Sequence, residues 1–359
     1  MITALLDLHN ISPRAKIMAA MSGGVDSSVT AALLKRRGFE THGVFMTLDG
    51  DKESPNARRA AEIADFLGIP FTVLDLSLEF KEQVLDYFQQ TYEQGLTPNP
   101  CAVCNRTIKF GRLLDYALGQ GMDYLATGHY ARLRRDNDGP VRLLQGADTT
   151  KDQSYFLCRL RQSQLAHALF PLAAVNKSEV YETAAELGLK GRHGTESQDV
   201  CFMTGRSLNE YFTACLPLAA AGDFVTLQGE RKGRHRGIRY YTIGQRRGLG
   251  IPDATPYYVV ALNAAANEVV IGKDEDLWQR RLTVSDINWL SNQAPELPAE
   301  FTVKIRYHHQ GARAMIRAAA NGLLIEFNEA QRAVTPGQFA VLYQDDEVIG
   351  SGQILRADE

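Results

Sequence analysis

Apolar and polar positions follow two periodicities in the first part of the chain. Four short apolar runs predict β-strands: Lys16–Met21, Thr41–Thr47, Phe71–Leu76 and Tyr124–Ala126. Four segments with apolar residues at helical spacing predict α-helices: Ser27–Arg37, Asn56–Leu67, Leu78–Gln94 and Arg106–Leu118. Strands that alternate with helices predict an α/β domain whose parallel sheet is covered on both faces. Ligands bind such sheets at the carboxyl ends of the strands.

The pattern changes beyond Ser207, where short strand-like runs are separated by Gly and Pro turns. A first set predicts a small, mostly β domain: Asp223–Val225, Ile238–Thr242, Tyr257–Leu262 and Glu268–Ile271. A second set predicts a C-terminal β-barrel: Thr283–Leu290, Phe301–Arg306, Ala314–Ala318, Leu323–Phe327, Phe339–Gln344 and Glu347–Leu355. We therefore expect a leader at residues 1–14, an α/β domain at 15–205, a central β domain at 206–275 and a barrel domain at 276–359, with a linker between Gly272 and Arg281.

Composition excludes several protein classes. At 359 residues the chain is too long for one ordinary core, and 45% hydrophobic with 23% charged residues is typical of globular proteins. No apolar stretch approaches the roughly 20 residues of a membrane span, and the N-terminus lacks the pattern of a secretory signal. Five cysteines, an odd number, argue against a disulfide framework. The sequence therefore predicts a cytoplasmic protein.

The stretch Ser22–Ser28 joins the first predicted strand to the first predicted helix. Its two adjacent glycines let the backbone approach a ligand closely, and the free N–H groups of the helix start attract an anion. No Gly-Lys-Ser/Thr follows the glycines, so the stretch is not a Walker A loop, and it also lacks the Gly-x-Gly-x-x-Gly dinucleotide pattern. It resembles the pyrophosphate loop (PP-loop) of ATP pyrophosphatases. Nucleotide chemistry is the first hypothesis.

Three cysteines lie in polar surroundings. Cys101 and Cys104 precede the fourth predicted helix, where a helix N-terminus would lower their pKa, and Cys201 follows in a polar loop. Cys158 and Cys215 lie among apolar neighbours and are predicted to be small buried side chains. The residues alone leave four interpretations of the first three: a zinc site without its fourth ligand, a redox pair, nucleophilic or sulfur-carrying thiols, or an iron–sulfur cluster with one open iron.

Several motifs in one order carry a close family resemblance. They are Ser22–Ser28, Asn99–Phe110, Ala126–Ala131, Lys151–Tyr155, Glu196–Phe202, Gly244–Leu249 and Pro336–Gln338. From about Lys16 to the C-terminus the chain resembles the tRNA-specific 2-thiouridylases, whose N-terminal domain is of the adenine-nucleotide α-hydrolase, PP-loop type.

The resemblance implies a two-step reaction on the wobble uridine of tRNA. The substrates would be the tRNAs for Lys, Glu and Gln. ATP, with Mg²⁺, adenylates the C2 oxygen and releases pyrophosphate; a persulfide sulfur then displaces AMP. By the same resemblance Cys201 carries the persulfide, Cys104 is its partner or nucleophile, and the two can form a disulfide. The sulfur donor would be a cysteine desulfurase or a sulfur-relay protein.

The resemblance also implies binding residues. For ATP they are Ala20, Met21, Ser22, Gly23, Gly24, Val25, Asp26, Ser27, Met46 and Gly128. For tRNA they are Asn99, Pro100, Cys101, His129, Lys151, Asp152, Gln153, Arg306, Tyr307 and Gln338. A basic run with interleaved aromatic residues is a further predicted RNA contact: Arg231, Lys232, Arg234, His235, Arg236, Arg239, Tyr240, Tyr241, Gln245, Arg246 and Arg247.

One residue departs from the family pattern. Members commonly have Asp at the position of Cys101, so the acid/base role assigned to that carboxylate is missing here. The substitution creates a Cys-x-x-Cys pair that, with Cys201, could hold a [4Fe–4S] cluster with one open iron. Two further alternatives are an amidating PP-loop synthetase of the argininosuccinate or NAD type, and a non-catalytic RNA-binding protein with a decayed loop.

Overall fold

The α/β part of the chain alternates strands and helices. The computed structural model describes residues 8, 11–136, 139–194, 200–203 and 205–355. In chain order this part contains β1 (Lys16–Ala20), α1 (Val25–Arg36), β2 (Glu40–Thr47), α2 (Pro55–Leu67), β3 (Phe71–Asp75), α3 (Ser77–Phe80), a π-helical turn (Lys81–Leu85), α4 (Asp86–Glu93), α5 (Pro100–Cys104), a π-helical segment (Asn105–Leu113), α6 (Leu114–Gly119), β4 (Tyr124–Ala126), β5 (Ala131–Arg134), β6 (Arg142–Gln145), α7 (Ser154–Leu157), α8 (Gln162–Leu165), β7 (Ala168–Leu169), α9 (Lys177–Glu186) and α10 (Leu208–Cys215).

Five of these strands form one parallel sheet in the order β3-β2-β1-β4-β7. The strand order reverses between β1 and β4, which is where ligands bind in open α/β sheets. The four predicted strands are confirmed, and the short edge strand β7 was not predicted. Part of the predicted leader packs against this domain, since Leu8 and Ile11 are buried in its core. Most of that leader, residues 1–7, 9 and 10, lies outside the described residues.

The fourth predicted helix begins earlier than its apolar pattern indicated. Pro100 takes the first helical position and the Asn99 side chain accepts a hydrogen bond from the Ala102 N–H at 3.1 Å, so the helix starts with α5. Cys101 and Cys104 therefore lie inside the first turns of the helix. A Pro at this position supplies the fixed φ that a first helical turn needs, and the apolar spacing could not show that.

The second half of the chain is almost entirely β. It contains β8 (Gly222–Thr226), β9 (Arg231–His235), a 3₁₀ turn (Ile238–Tyr240), β10 (Tyr258–Asn263), β11 (Glu268–Gly272), a 3₁₀ turn (Asp274–Leu277), β12 (Trp278–Trp289), β13 (Ala299–Lys304), β14 (Ala312–Ala319), β15 (Gly322–Arg332), β16 (Phe339–Gln344) and β17 (Glu347–Ile354). The central sheet has the order β10-β11-β8-β9. Strands β12-β15-β14-β13-β16-β17 form a sheet that closes through the pairing of β12 with β17, so the C-terminal part is a six-stranded barrel. Within the described residues no helix is both long and apolar enough to cross a membrane.

Two expectations fail for local reasons. The predicted strand Ile238–Thr242 is wrong: Ile238–Tyr240 is a 3₁₀ turn that follows Gly237 at φ +135°. Its successive residues Ile238, Arg239, Tyr240 and Tyr241 are all buried, without the alternation of a strand. Cys158 is buried as predicted, whereas Cys215, the last residue of α10, is exposed and not buried as predicted.

The α/β part and the barrel are joined by hydrogen bonds around a buried arginine. The Arg159 side chain is 3% exposed and donates to the main-chain oxygen of Asp286 at 2.7 Å and to its carboxylate at 2.5 Å. Next to it, the carbonyl of Cys158 accepts from Asn288 Nδ2 at 2.9 Å and from Ser351 Oγ at 3.0 Å. The hairpin β5–β6, which the sequence analysis missed, adds β6 to β17 at the edge of the barrel sheet.

Leu125→Ala tests whether β4 is buried in the core of the α/β domain. Leu125 is fully buried, so the substitution should lower the free energy of unfolding by about 3 kcal/mol through lost burial and a residual cavity. Leu78→Ala is the control, because Leu78 is 73% exposed and its loss should cost less than about 0.5 kcal/mol. Urea titration followed by circular dichroism measures both. Equal midpoints for the two variants would contradict the assignment of β4 to the core.

Candidate functional site

The PP-loop lies between β1 and α1 and is fixed by its own hydroxyl groups. Ser27 Oγ accepts from the Ser22 N–H at 3.0 Å and donates to the Gly24 carbonyl at 3.0 Å. Ser28 Oγ donates to the same carbonyl at 2.8 Å. Gly23 has φ +76°, a conformation that favours glycine, and a Cβ there would lie 2.8 Å from the Asn56 oxygen. The loop therefore holds open backbone N–H groups at the start of a helix, as an anion site requires.

Two other glycines let neighbouring segments approach this loop. A Cβ on Gly128, at the end of β4, would lie 3.0 Å from the Asp26 main-chain carbon and 3.1 Å from the Ser27 nitrogen. Gly194 donates its N–H to the Gly23 oxygen at 2.9 Å. The loop, the end of β4 and the segment after α9 thus meet at one point. Met46, near the carboxyl end of β2, lies at the same edge of the sheet.

Asp26 is held by a cation from a distant helix. Lys177 Nζ lies 2.7 Å from both carboxylate oxygens of Asp26, and the Tyr130 hydroxyl donates to Oδ1 at 2.7 Å. Lys177 is the first residue of α9, and its side chain is 12% exposed. A positive group fixed beside a phosphate-binding loop can neutralise phosphate charge, which is what nucleotide transfer needs.

The three cysteines of interest lie near one another but differ in exposure. Cys104 is 7% exposed, Cys101 is half-buried and Cys201 is exposed. Burial raises the pKa of Cys104 to about 12; Lys109 acts in the opposite direction, and Cys201 and Cys101 add to the increase. Loss of solvent also raises the pKa of Cys101, and Lys109 opposes this shift. All five cysteines are free thiols in this structure.

The expectation that a helix N-terminus lowers the pKa of these thiols is wrong. Cys104 belongs to the same apolar cluster as Phe80, Ile108 and Phe110, and the cost of burying a thiolate there exceeds the attraction of the helix end. Cys101, one residue into α5, is shifted in the same direction for the same reason.

Phe202 places Cys201 beside this helix. Its ring contacts Phe80 with centroids 6.0 Å apart, Phe88 at 5.1 Å and Tyr211 at 5.5 Å. Phe80 is a member of the cluster that contains Cys104, so the aromatic contacts bring Cys201 to the thiol site. The preceding part of the predicted motif, Glu196–Asp199, lies outside the described residues.

Lys109 and His129 connect the thiols with the end of β4. Lys109 Nζ lies 3.5 Å from His129 Nε2, and Thr127 Oγ1 lies 2.7 Å from Nδ1. An ammonium group only donates, so Nε2 is the acceptor and the ring proton resides on Nδ1. Burial, followed by the charge of Lys109, lowers the pKa of His129 well below its usual value. His129 is thus a neutral, buried ring in this state.

The predicted tRNA residues fall into two groups. Those engaged inside the protein are Asn99, Pro100, His129 and Asp152, which are buried, and Gln153, whose side chain accepts from the Tyr130 N–H at 3.1 Å. Gln338 also belongs here, because its side chain donates to the Thr97 and Pro98 carbonyls at 3.1 and 2.8 Å. The more accessible residues are Cys101, Lys151, Arg306 and Tyr307. The Tyr307 ring stacks on Phe156 of α7 with centroids 4.5 Å apart, so the barrel contacts the α/β part at this point.

The basic run of the central domain is only partly available to RNA. Arg239 and His235 are buried, and Arg231 pairs with Asp223 at 3.0 Å. The predicted stacking residues Tyr240 and Tyr241 lie in the core of the domain. Exposed members of the run are Arg231, Lys232, Arg234, Arg236, Arg246 and Arg247. The prediction that Tyr240 and Tyr241 stack on RNA bases is therefore wrong. The exposed members of the run form a cationic surface without stacking rings.

The resemblance implies two metal groups, a [4Fe–4S] cluster held by the three thiols and Mg²⁺ bound with ATP. Among the described residues no group of three or more His, Cys, Asp or Glu is arranged to hold a metal ion. The three thiols, one buried and one exposed, therefore do not fit a [4Fe–4S] cluster in this arrangement. Mg²⁺ in nucleotide sites usually takes one or two carboxylates and the substrate phosphates. Asp26 is a carboxylate of the loop, but both of its oxygens are paired with Lys177 here, so it would bind Mg²⁺ only after Lys177 moves away.

The fold and the loop together define a nucleotide-binding domain of the PP-loop class. Family models agree along most of the chain: a "tRNA methyl transferase HUP domain" matches residues 15–205, a "tRNA methyl transferase PRC-barrel domain" matches 209–273, and an "Aminomethyltransferase beta-barrel domain" matches 279–354.

Curated relatives narrow the class to a family. A tRNA-specific 2-thiouridylase MnmA of Desulfotalea psychrophila is 44% identical over 94% of this chain and 98% of its own length. Proteins of the same name from Magnetococcus marinus and Chloroflexus aggregans are 43% and 42% identical over 95% and 96% of this chain, each with 99% of its own length covered. The chain is therefore an enzyme of the tRNA-specific 2-thiouridylase family.

Three residues of the site escaped the sequence analysis: Lys177, Tyr130 and Lys109. Asn176 and Glu179 form a capping box that marks the start of α9, but such a signal locates a helix and not a partner 151 positions away. Lys109 lies within a motif of the family resemblance, yet nothing in the motif shows that it faces the thiols.

The pH dependence of alkylation tests the environment of Cys104. The reactive species is the thiolate, and with a pKa of about 12 its fraction should rise about tenfold for each pH unit between pH 7 and 10. Iodoacetamide labelling followed by peptide mass spectrometry measures this rate. In Lys109→Met the rate should be lower at every pH, because the opposing charge is gone. A plateau below pH 9 in the folded protein would contradict the assignment.

Proposed function

We propose that this enzyme catalyses ATP-dependent 2-thiolation of the wobble uridine of tRNA. The observation that carries the proposal is the PP-loop, with Lys177 fixed on Asp26, in the same domain as a cluster of three thiols. The names of the relatives support tRNA as the substrate and thiouridine as the product. An amidating synthetase would need an amine-delivering site instead of these thiols.

The first step activates the uridine. The C2 oxygen of the base attacks the α-phosphorus of ATP, the bond to the β-phosphate oxygen breaks, and pyrophosphate leaves. We propose that the PP-loop N–H groups and Lys177 stabilise the charge on the leaving pyrophosphate. ATP would lie along Ala20, Met21, Ser22, Gly23, Gly24, Val25, Asp26 and Ser27, with Met46 and Gly128 at its other side. Once Lys177 turns from the Asp26 carboxylate to the phosphates, Mg²⁺ would be held by Asp26 and phosphate oxygens.

The second step replaces the activated oxygen with sulfur. The terminal sulfur of a persulfide on Cys201 attacks C2, and AMP leaves with the C2 oxygen. The Cys104 thiolate then attacks Cys201 Sγ; the persulfide S–S bond breaks, its electron pair stays on the sulfur bonded to C2, and a Cys104–Cys201 disulfide forms. An external thiol reduces that disulfide. Burial raises the pKa of Cys104, so this step needs its proton to be removed, and Lys109 is the nearby cation that favours the thiolate.

The remaining assignments belong to the same proposal. The sulfur reaches Cys201 from a cysteine desulfurase or a relay protein in the cytoplasm, which fits its exposed thiol. Catalysis would reside in residues 15–205, and the domains at 206–275 and 276–359 would supply tRNA contacts, among them Arg306 and Tyr307. The substrates would be the tRNAs for Lys, Glu and Gln.

Lys177→Met tests the adenylation step. Loss of a positioned cation on the leaving group should slow AMP formation by about a hundredfold, with little change in tRNA affinity. The assay measures labelled AMP released from ATP in the presence of tRNA. Lys190→Met, an exposed lysine beyond the end of α9, is the matched control and should keep the wild-type rate. An unchanged rate in Lys177→Met would remove this residue from the mechanism.

Thiolation assays on three cysteine variants test the sulfur step. Cys104→Ala and Cys201→Ala should form AMP but no 2-thiouridine, whereas Cys101→Ala should retain thiolation, because only Cys201, as sulfur carrier, and Cys104, as attacking thiolate, take part in the sulfur step of the proposal. Product nucleosides are measured by mass spectrometry, alongside iron and sulfide analysis of protein purified without oxygen.

The outcomes separate the alternatives. Bound iron that is lost with activity in all three variants would replace the persulfide mechanism with a [4Fe–4S] mechanism. AMP formation without any 2-thiouridine in the wild-type protein, unchanged in Cys201→Ala, would favour an amidating synthetase. Absence of AMP formation with tRNA in the wild-type protein would favour a non-catalytic RNA-binding protein.

A further inference from the structure

The loop Gly95–Asn99 contacts three parts of the molecule. It joins α4 to α5, and it begins against the central domain: a Cβ on Gly95 would lie 3.3 Å from both Ile238 Cδ1 and Leu262 Cβ. Gly95 has φ +71°, so a glycine suits both the turn and the close approach. The loop ends at Asn99 and Pro100, where the helix that carries Cys101 and Cys104 begins.

The middle of this loop is bound by the barrel turn Pro336–Gln338. The Thr97 N–H donates to the Pro336 carbonyl at 2.9 Å, and Gln338 Nε2 donates to the Thr97 and Pro98 carbonyls at 3.1 and 2.8 Å. A Cβ on Gly337 would lie 2.8 Å from the Thr97 oxygen, so the two backbones are in direct contact. A side-chain amide has two N–H donors, and both of those of Gln338 are used on this loop.

The barrel turn is itself fixed. The Gly337 N–H donates to the Ile354 carbonyl at 2.9 Å, and the Ile354 N–H donates to the Gln338 carbonyl at 2.8 Å. These two bonds continue the ladder of β17, so the Gln338 backbone belongs to the barrel. The amide of Gln338 therefore reaches the loop from a rigid support.

The loop in turn determines where α5 begins. Pro98, Asn99 and Pro100 are buried, and the Asn99 N–H donates to the Tyr87 hydroxyl at 3.3 Å. The Asn99 side chain caps the helix through the Ala102 N–H, and the Val103 N–H donates to the Asn99 carbonyl at 3.3 Å. A shift of Pro98 would move this cap and, with it, the thiols one turn further along.

We infer that Gln338 is a positioning residue of the thiol helix: its two hydrogen bonds to the Gly95–Asn99 loop fix the start of α5 and hence the place of Cys104. The family resemblance implies a tRNA contact for Gln338, whereas here its donors face the protein. The barrel thus acts on the thiol site as well as on RNA. The inference rests on the proposed function only for the role of Cys104.

Hydrogen exchange and thiol labelling of the free protein test this inference. Gln338→Met keeps the side-chain length and removes both donors; Gln338→Glu places a carboxylate against the two carbonyls. In Gln338→Met, amide exchange in Pro100–Cys104 and iodoacetamide labelling of Cys104 should both be about fivefold faster or more. This factor is the change in an opening equilibrium that the loss of one hydrogen bond causes. The acceleration should be larger in Gln338→Glu. Gln344→Met, an exposed glutamine at the end of β16, is the matched control and should match the wild type.

No ATP, tRNA or sulfur donor is present, so failure here is distinct from failure of the proposed reaction. Wild-type exchange and labelling in Gln338→Met, with weakened tRNA binding in a separate titration, would make Gln338 an RNA contact and overturn the inference. Faster exchange throughout β13, β16 and β17 would assign Gln338 to the barrel fold instead, and would also overturn it. Unchanged barrel exchange together with a faster Pro100–Cys104 segment supports it.

Discussion

One apolar core is shared by the α/β domain and the barrel, and the thiol site depends on it. Ala102 and Cys104 of α5 belong to the same buried cluster as Phe339, Val341 and Tyr343 of β16. Buried apolar area is the main stabilising term in such a core, so separating the barrel would expose the helix that carries Cys104. The barrel is therefore a structural part of the site and not an appended binding module.

Burial also controls the chemistry of the two halves of the site. At the PP-loop, the Asp26 carboxylate is paired with Lys177, so the ammonium group of Lys177 lies next to the loop. At the thiols, burial keeps Cys104 protonated, and Lys109 is the charge that opposes this. Both cations come from helices whose positions the core determines. The nucleotide loop offers N–H groups for an anion, while burial disfavours the thiolate of Cys104.

Some elements of this fold are determined by the local pattern of residues and could be predicted from it. The strands of the parallel sheet, the Gly-Gly turn and the barrel strand Phe339–Gln344 follow from periodicity and turn residues. Other elements could not be predicted in this way. The hairpin β5–β6 was not predicted, since its strands have only four residues each; β6 also pairs with β17, about two hundred positions away. The run Ile238–Thr242 was predicted to be a strand because a short run that is buried on every side has the pattern of an apolar strand.

The sequence by itself determined the α/β class, the anion-binding loop and the family, because each depends on residue types at short spacings. Tertiary structure alone decided which groups face each other. Lys177 reaches Asp26, Gln338 reaches the loop before α5, and burial reverses the expected pKa shift of Cys104. Such contacts depend on how separate segments pack, and the free energy of a buried charge or hydrogen bond depends on surroundings that no local spacing records.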